Sequence, residues 1–403
     1  MRLRQPRSSL GTALVTVAML SALAVTLVTT AWADPKYKVL HSFTGGKDGG
    51  GLWGSLLLDK RGNLYGTTAL NTVFELIPGS NGGWRLKVLH TFNGNDGSGP
   101  MSGLIFDPAG NLYGTTPTGG AQHWGTVFRL SPSTHGWKET VLHSFGFNSQ
   151  GCCPWAGVVM DNAGNLFGTA GVAFELSPGD GGWKETVLHD FTGQHGDGSG
   201  PYAVTLDGAG NLYGETNMGG TSTLCGGGCG TVYELRRTSG GGWKEHILHD
   251  FGTGGDELGF PGGTLVLDQG GNLYGTAGGG RYAHGAVYRL RRQSDGRWKT
   301  AIQHSFSGGA GGDGPSGGVA MDPAGNLYGV TTNGGDANCG CGVVYKLKPS
   351  SGGKWTYTVL HRFTGYDGAQ PIAQLILDRK GNLYGTTITG GAGGYGVAFE
   401  ITP

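Results

Sequence analysis

Five ionisable residues stand outside the chain's repeating pattern and could act on a substrate: His123, Glu215, Asp256, Glu257 and His284. Two carboxylates flanking a glycosidic bond can supply the acid and base steps of hydrolysis. A histidine with a tyrosine could serve a lyase or a lactone-opening enzyme. Four aromatic residues, Trp53, Trp124, Trp155 and Tyr202, fall outside the pattern as well. Flat apolar faces with polar rims suit sugar rings and other planar ligands, although the same side chains could simply cover loop backbone. Asp48, Asp96, Asp197, Asp256, Asp313 and Asp367 recur in Gly-rich loops. As a partial carboxylate ring they could hold Ca²⁺, while Asp-Gly is also what a tight turn prefers. Neither H-E-x-x-H nor a P-loop is present.

The elements that must position these residues come in seven copies. The string Gly-Asn-Leu-(Tyr/Phe)-Gly recurs with its asparagine at 63, 111, 165, 211, 272, 326 and 382, a mean period of about 53 residues, which indicates supersecondary repeats. Each copy holds an apolar run ending in Asp, the string itself, a Val-Phe-Glu-Leu-like run, and a Trp followed by Val-Leu-His-x-Phe. Period-two alternation and the turns between runs give four strands per unit, here a to d. In Asp107-Pro108-Ala109-Gly110-Asn111 the a-to-b joint has the residues of a type I turn with a glycine for positive φ.

The two ends of the repeat array decide between a ring and an open stack. Tyr37 to Phe43 reads as a d strand with nothing before it, and Val397 to Ile401 as a c strand with nothing after it. Pairing them completes a blade and removes exposed edges. The expected fold is therefore all-β: a seven-bladed β-propeller of four-stranded blades, closed by the N-terminal d strand on the C-terminal a-b-c strands. A β-solenoid is the rival. The blades run about 52–92, 100–145, 154–191, 201–251, 261–306, 315–363 and 371–403 plus 35–43.

Composition agrees. The 403 residues include 85 Gly and 16 Pro, too many for a helical protein, while 37% hydrophobic and 10% aromatic residues argue against disorder. Lys plus Arg and Asp plus Glu number 28 each, so no basic surface favours nucleic acid. Arg2, Arg4 and Arg7 precede an apolar run from Leu10 to about Val28 and then Ala31-Trp32-Ala33. That order predicts a signal peptide over 1–33 with cleavage before Asp34, the rival being an uncleaved anchor. The mature domain, 34–403, would be monomeric, with no later membrane span, and secreted, periplasmic or held at the cell surface.

Gly-Asn-Leu-Tyr-Gly-Thr-Thr, a Gly-Gly loop and Gly-Thr-Val-Phe-x-Leu resemble the Gloeo/Verruco (GloVer) tandem repeat of secreted bacterial proteins, and the Asp-x-x-Gly-Asn-Leu-Tyr turn is similar to that of NHL-type propellers. The resemblance spans all seven units. It implies the fold and an exported bacterial context, and no agreed activity or catalytic residue.

Symmetry separates scaffold from site, because one active site needs unlike groups at one point. His41, His90, His143, His189, His249, His304 and His361 share a d-strand position and are expected to hydrogen-bond between blades. Trp84, Trp137, Trp183, Trp243, Trp298 and Trp355 are expected to pack, and Asp59, Asp107, Asp161, Asp207, Asp268, Asp322 and Asp378 to cap turns. The b-to-c and d-to-a connections vary in length and share one face, where function belongs. All six cysteines lie there: Cys152, Cys153, Cys225, Cys229, Cys339 and Cys341. Export permits disulfides, Cys225–Cys229 being the nearest local pair; zinc is the rival.

The position entering strand a, six residues before the repeated Asp in six blades and five before it in blade 4, reads Trp53, Met101, Trp155, Tyr202, Gly262, Ser316 and Ile372. A channel mouth aromatic on one side is the expected site. It would recognise an extracellular saccharide or other polymer, or serve a carbohydrate- or lactone-active hydrolase or lyase.

Overall fold

The computed structural model describes residues 35–147, 151–253 and 258–403. The expected export segment, Asp256 and Glu257 lie outside them. Among the described residues seven sheets follow one another, built chiefly from antiparallel strands consecutive in the chain. In the first blade Leu57–Leu58, Leu64–Thr68, Thr72–Pro78 and Trp84–Thr91 lie in that order as a, b, c and d. The last blade takes Lys36–Ser42 beside Val397–Thr402, with Tyr37 opposite Ile401 and Val39 opposite Phe399. The ring is thus closed as the end strands require.

The repeated string is explained by two short-range needs. Asp59 Oδ1 accepts the backbone N–H groups of Arg61 and Asn63, both at 2.8 Å, while Oδ2 accepts Asn63 Nδ2 at 3.0 Å and the Tyr65 hydroxyl at 3.3 Å. The Asp, Asn and Tyr therefore build one turn together. The Asn-to-Asp bond recurs in every blade. The following glycine is needed for close approach: a Cβ on Gly66 would lie 2.5 Å from the Phe74 ring of the neighbouring c strand.

Between blades, the phenylalanine ending each d strand packs on the c-strand aromatic of the next blade, from Phe43 on Phe74 at 5.0 Å to Phe363 on Phe399 at 5.3 Å. The repeated tryptophans meet the b-strand aromatic of the preceding blade, as Trp137 meets Tyr65 at 6.4 Å and Trp243 meets Phe167 at 5.9 Å. These offset and edge contacts, with the area they bury, carry the ring's cohesion.

The d strands depart from strict alternation. Val73 opposes His90 and Phe74 opposes Val88, leaving Leu89 as an extra residue, and the same bulge recurs at Leu40, Leu142, Leu188, Leu248, Gln303 and Leu360. A bulge increases local twist, which suits the outermost strand of a blade.

Inner strands also differ among blades. They are nine residues long in blades 4 and 6, at Gly198–Leu206 and Asp313–Met321. In blade 5, Gly263–Thr264 pairs in parallel with the blade 6 strand instead of with its own sheet.

Candidate ligand-binding site

The seven positions read from the sequence all line one cavity of about 590 Å³. Every blade contributes to it, so it occupies the mouth of the central channel. Trp53 is 43% exposed, Trp155 60% and Tyr202 40%, which leaves aromatic faces uncovered around blades 1, 3 and 4. Blades 5 and 6 present only Gly262 and Ser316 at this register, so the opposite side is open. Asn217 and Gln374 add amides to the wall. The volume falls in the range of small-molecule sites, and the arrangement can stack a flat ligand and hydrogen-bond its edge.

Trp124 lies outside that lining. It packs on Phe147 with ring centroids 4.8 Å apart, in the b-to-c loop of blade 2, and its carbonyl accepts the Cys153 N–H at 2.8 Å. His123 beside it is exposed with φ of 67°. His284 Nδ1 meets Asp313 Oδ1 at 3.1 Å. Neither histidine lines the cavity.

Glu215 lies behind the wall. In four blades the threonine at its register donates across the seam to a carbonyl of the next blade's entry: Thr67 to Ser102, Thr115 to Ala156 and Thr169 to Tyr202 at 2.8 Å, and Thr386 to Gly54 at 3.2 Å. Glu215 is longer and crosses further. It bonds to the Tyr288 hydroxyl and accepts the N–H of Gly263, itself a wall residue, and it is 1% exposed. Burial pushes its carboxyl up to about 8, against the bond from Tyr288. Its Oε2 is buried without a hydrogen-bond partner among the described residues. Among the described residues, then, Glu215, His123 and His284 do not converge on the cavity.

Ser316 sits in Gly314-Pro315-Ser316-Gly317-Gly318, which has the G-x-S-x-G spacing. That spacing marks a nucleophile elbow only at a strand-to-helix turn. Here it lies within the strand Asp313–Met321, and another strand, Leu327–Asn333, comes next.

Among the described residues, the recurrent loop aspartates turn to histidines instead of to a shared carboxylate ring that would suit Ca²⁺. Asp48, Asp96, Asp197 and Asp367 turn to the rim histidines of the preceding d strand, His41 at 3.3 Å, His90 at 2.9 Å, His189 at 3.1 Å and His361 at 2.9 Å. They also cap their own loops, as Asp367 Oδ1 does by accepting the N–H of Thr364 at 2.8 Å and its hydroxyl at 2.9 Å. Although burial opposes it, these bonds and that from His361 hold Asp367 below the usual carboxylate range. The rim histidines thus bond within their own blade's connection, not only across the seam as expected. Sequence alternation alone could not show this, because the d-strand bulge sets where each imidazole points.

Cys225 and Cys229 are disulfide-bonded, and so are Cys339 and Cys341. Each bridge closes a b-to-c loop. Cys152 and Cys153 are not bonded to each other, their Sγ atoms being 2.9 Å apart, and burial with the neighbouring Cys152 thiol pushes Cys153 up to about 12.

Residues 22–172 and 261–403 match the Gloeobacter/Verrucomicrobia repeat, and the chain belongs to that family. No curated protein matches it. Among solved structures it is similar to the extracellular domains of two hybrid two-component systems of B. thetaiotaomicron. For BT3049 the TM-score is 0.57 and the identity 13%, over 92% of this chain and 41% of that one. For BT4673 the values are 0.54 and 14%, over 92% and 42%. The chain therefore spans about two fifths of the length of those structures, and at such identity the likeness shows the propeller fold. No described helix is long and apolar enough to cross a membrane.

Proposed function

We propose that this protein is an exported recognition propeller that binds a carbohydrate, or another extracellular polymer with flat apolar faces, across the channel mouth. One observation carries the reading. Trp53, Trp155 and Tyr202 stand at the strand-a entries of blades 1, 3 and 4 and hold exposed rings at one cavity, while repeated aromatics such as Trp137 with Tyr65 and Trp243 with Phe167 engage one another between blades. An exposed aromatic ring at a concave surface gains more from a ligand than from the fold. The two disulfides support an oxidising, exported setting.

The test is retention of the purified mature chain on a panel of insoluble polysaccharides, with released products measured in the same samples. Retention without product, weakened by Trp53→Ala and Trp155→Ala, is the expected result. Product release would instead point to a hydrolase or lyase. Equal retention of the two variants and the wild type would place recognition elsewhere.

A further inference from the structure

At the outer rim, His143, His189, His249, His304 and His361 each face the next d strand at the residue four before its own histidine, which is two past the repeated tryptophan where there is one. That register reads Leu86, Glu139, Glu185, Glu245, Thr300, Tyr357 and, in the closing strand, Tyr37. Where the partner is neutral the seam is satisfied without charge. Thr300 Oγ1 lies 2.9 Å from His249 Nδ1, Tyr357 stacks on His304 at 4.2 Å, and Tyr37 stacks on His361 at 3.7 Å. A carboxylate is therefore not needed to build the interface.

Between blades 3 and 4 the position holds Glu245, and the adjoining loop supplies Asp197. His189 Nε2 lies 3.1 Å from Asp197 Oδ1 and 3.5 Å from Glu245 Oε2, and the three ligand atoms are within 4.8 Å of one another. Two carboxylates thus share one imidazole. Asp197 Oδ2 is engaged elsewhere, by the Thr192 N–H at 2.7 Å and hydroxyl at 2.9 Å, which turns Oδ1 toward the cluster. Glu245 Oε1 is buried with no hydrogen-bond partner among the described residues.

From this geometry we infer a metal site: His189, Asp197 and Glu245 bind one divalent transition cation of the Zn²⁺ class. Metal–ligand bonds of about 2.0–2.1 Å in tetrahedral geometry separate neighbouring ligand atoms by roughly 3.3 Å, and the two distances measured from His189 Nε2 bracket that value. An imidazole nitrogen among the donors favours Zn²⁺ over Ca²⁺, which takes oxygen ligands and more of them. The Thr192 bonds supply the outer contact that orients a ligating carboxylate. Three protein ligands leave the remaining position to water or to a ligand approaching the rim. The site ties blade 3 to blade 4, so metal binding stabilises the folded ring.

The test uses the untagged mature chain, stripped with a chelator and titrated with Zn²⁺ against a chromophoric competitor, with Ca²⁺ in parallel. One Zn²⁺ per chain is expected, with a melting temperature raised by Zn²⁺ and not by Ca²⁺. Glu245→Thr, which copies the neutral residue of the Thr300 seam, and Asp197→Asn should each weaken binding at least about 10- to 100-fold. Glu185→Thr is the comparison: Glu185 faces His143 at 3.4 Å, and the loop before blade 3, residues 146–153, has no carboxylate. It should leave the affinity unchanged. Absence of binding, equal affinity for Ca²⁺, or equal weakening by Glu185→Thr and Glu245→Thr overturns the assignment. Circular dichroism of each variant separates lost binding from lost fold.

Discussion

The ring of Tyr37 lies on the imidazole of His361 with centroids 3.7 Å apart and planes 6° from parallel, and the Tyr37 hydroxyl donates to the Asp367 carbonyl at 2.6 Å. One residue of the first strand thus ties the N-terminal end to blade 6, while its backbone pairs with the last strand in blade 7. The closing strand holds two seams at once.

Removal of residues 34 to 43 should therefore expose the edge of Val397–Thr402 and uncover the face of blade 6, at the cost of most of the stability. Tyr37→Ala, which keeps the strand, should cost about 3 kcal/mol as a large-to-small change at a packed site. Urea unfolding of both variants checks this. A truncated chain as stable as the intact one would mean that the ring does not depend on its closure.

At the cavity, Trp53→Ala and Trp155→Ala should each weaken ligand binding by about 2 kcal/mol, roughly 30-fold, because central aromatic anchors dominate binding energy. Their melting temperatures should hardly move. Trp124→Ala should change affinity less, since Trp124 packs on Phe147 outside the lining. Trp243→Ala should act in the opposite sense, lowering stability by about 3 kcal/mol through lost contact with Phe167 and leaving binding per folded molecule unchanged. Titration calorimetry beside thermal melts distinguishes the two kinds of tryptophan.

The buried Glu215 carboxyl makes stability fall with rising pH. Its folded value, near 8, lies above the ordinary 4.5, so the folded chain holds a proton that the unfolded chain has lost. The stability from this group is complete below about pH 4.5 and is lost as pH climbs through about 8. Glu139, Glu185 and Glu245, which burial pushes up to about 7, act in the same sense. Glu215→Gln keeps a partner for Tyr288 and removes the titration. It should flatten the fall between pH 5 and 8 and raise the melting temperature at the upper end; a wild-type slope in the variant would contradict this placement of the carboxyl.

Mass mapping without reduction should recover Cys225 joined to Cys229 and Cys339 joined to Cys341. Cys152 and Cys153 should alkylate slowly, because the thiolate is the reactive form and the Cys153 thiol is pushed up. Rapid labelling of Cys225 and Cys229 would show those loops to be open.

The sequence by itself determined the ring. Seven copies of one string fix four strands per blade by local turn chemistry, as Asp59, Asn63 and Tyr65 show, and the d-like strand Lys36–Ser42 completes the sheet of the c strand Val397–Thr402. It also pointed to the cavity wall, because the residue entering strand a, six before the turn Asp in six blades and five before it in blade 4, lines the cavity in all seven. Which groups share a volume was decided by the tertiary structure alone. Glu215 has no counterpart in the repeat, so its pattern gave no sign that a side chain beside the wall would turn behind it to Tyr288, in the c strand of the next blade and 73 residues away. The loop aspartates read as a ring around the channel, yet the bulged d strands bring their histidines to Asp48, Asp96, Asp197 and Asp367 at the rim. Local spacing determines a strand and its turn, whereas the meeting of His189 with Asp197 and Glu245 depends on the angle between two blades, which is set by packing across the whole seam.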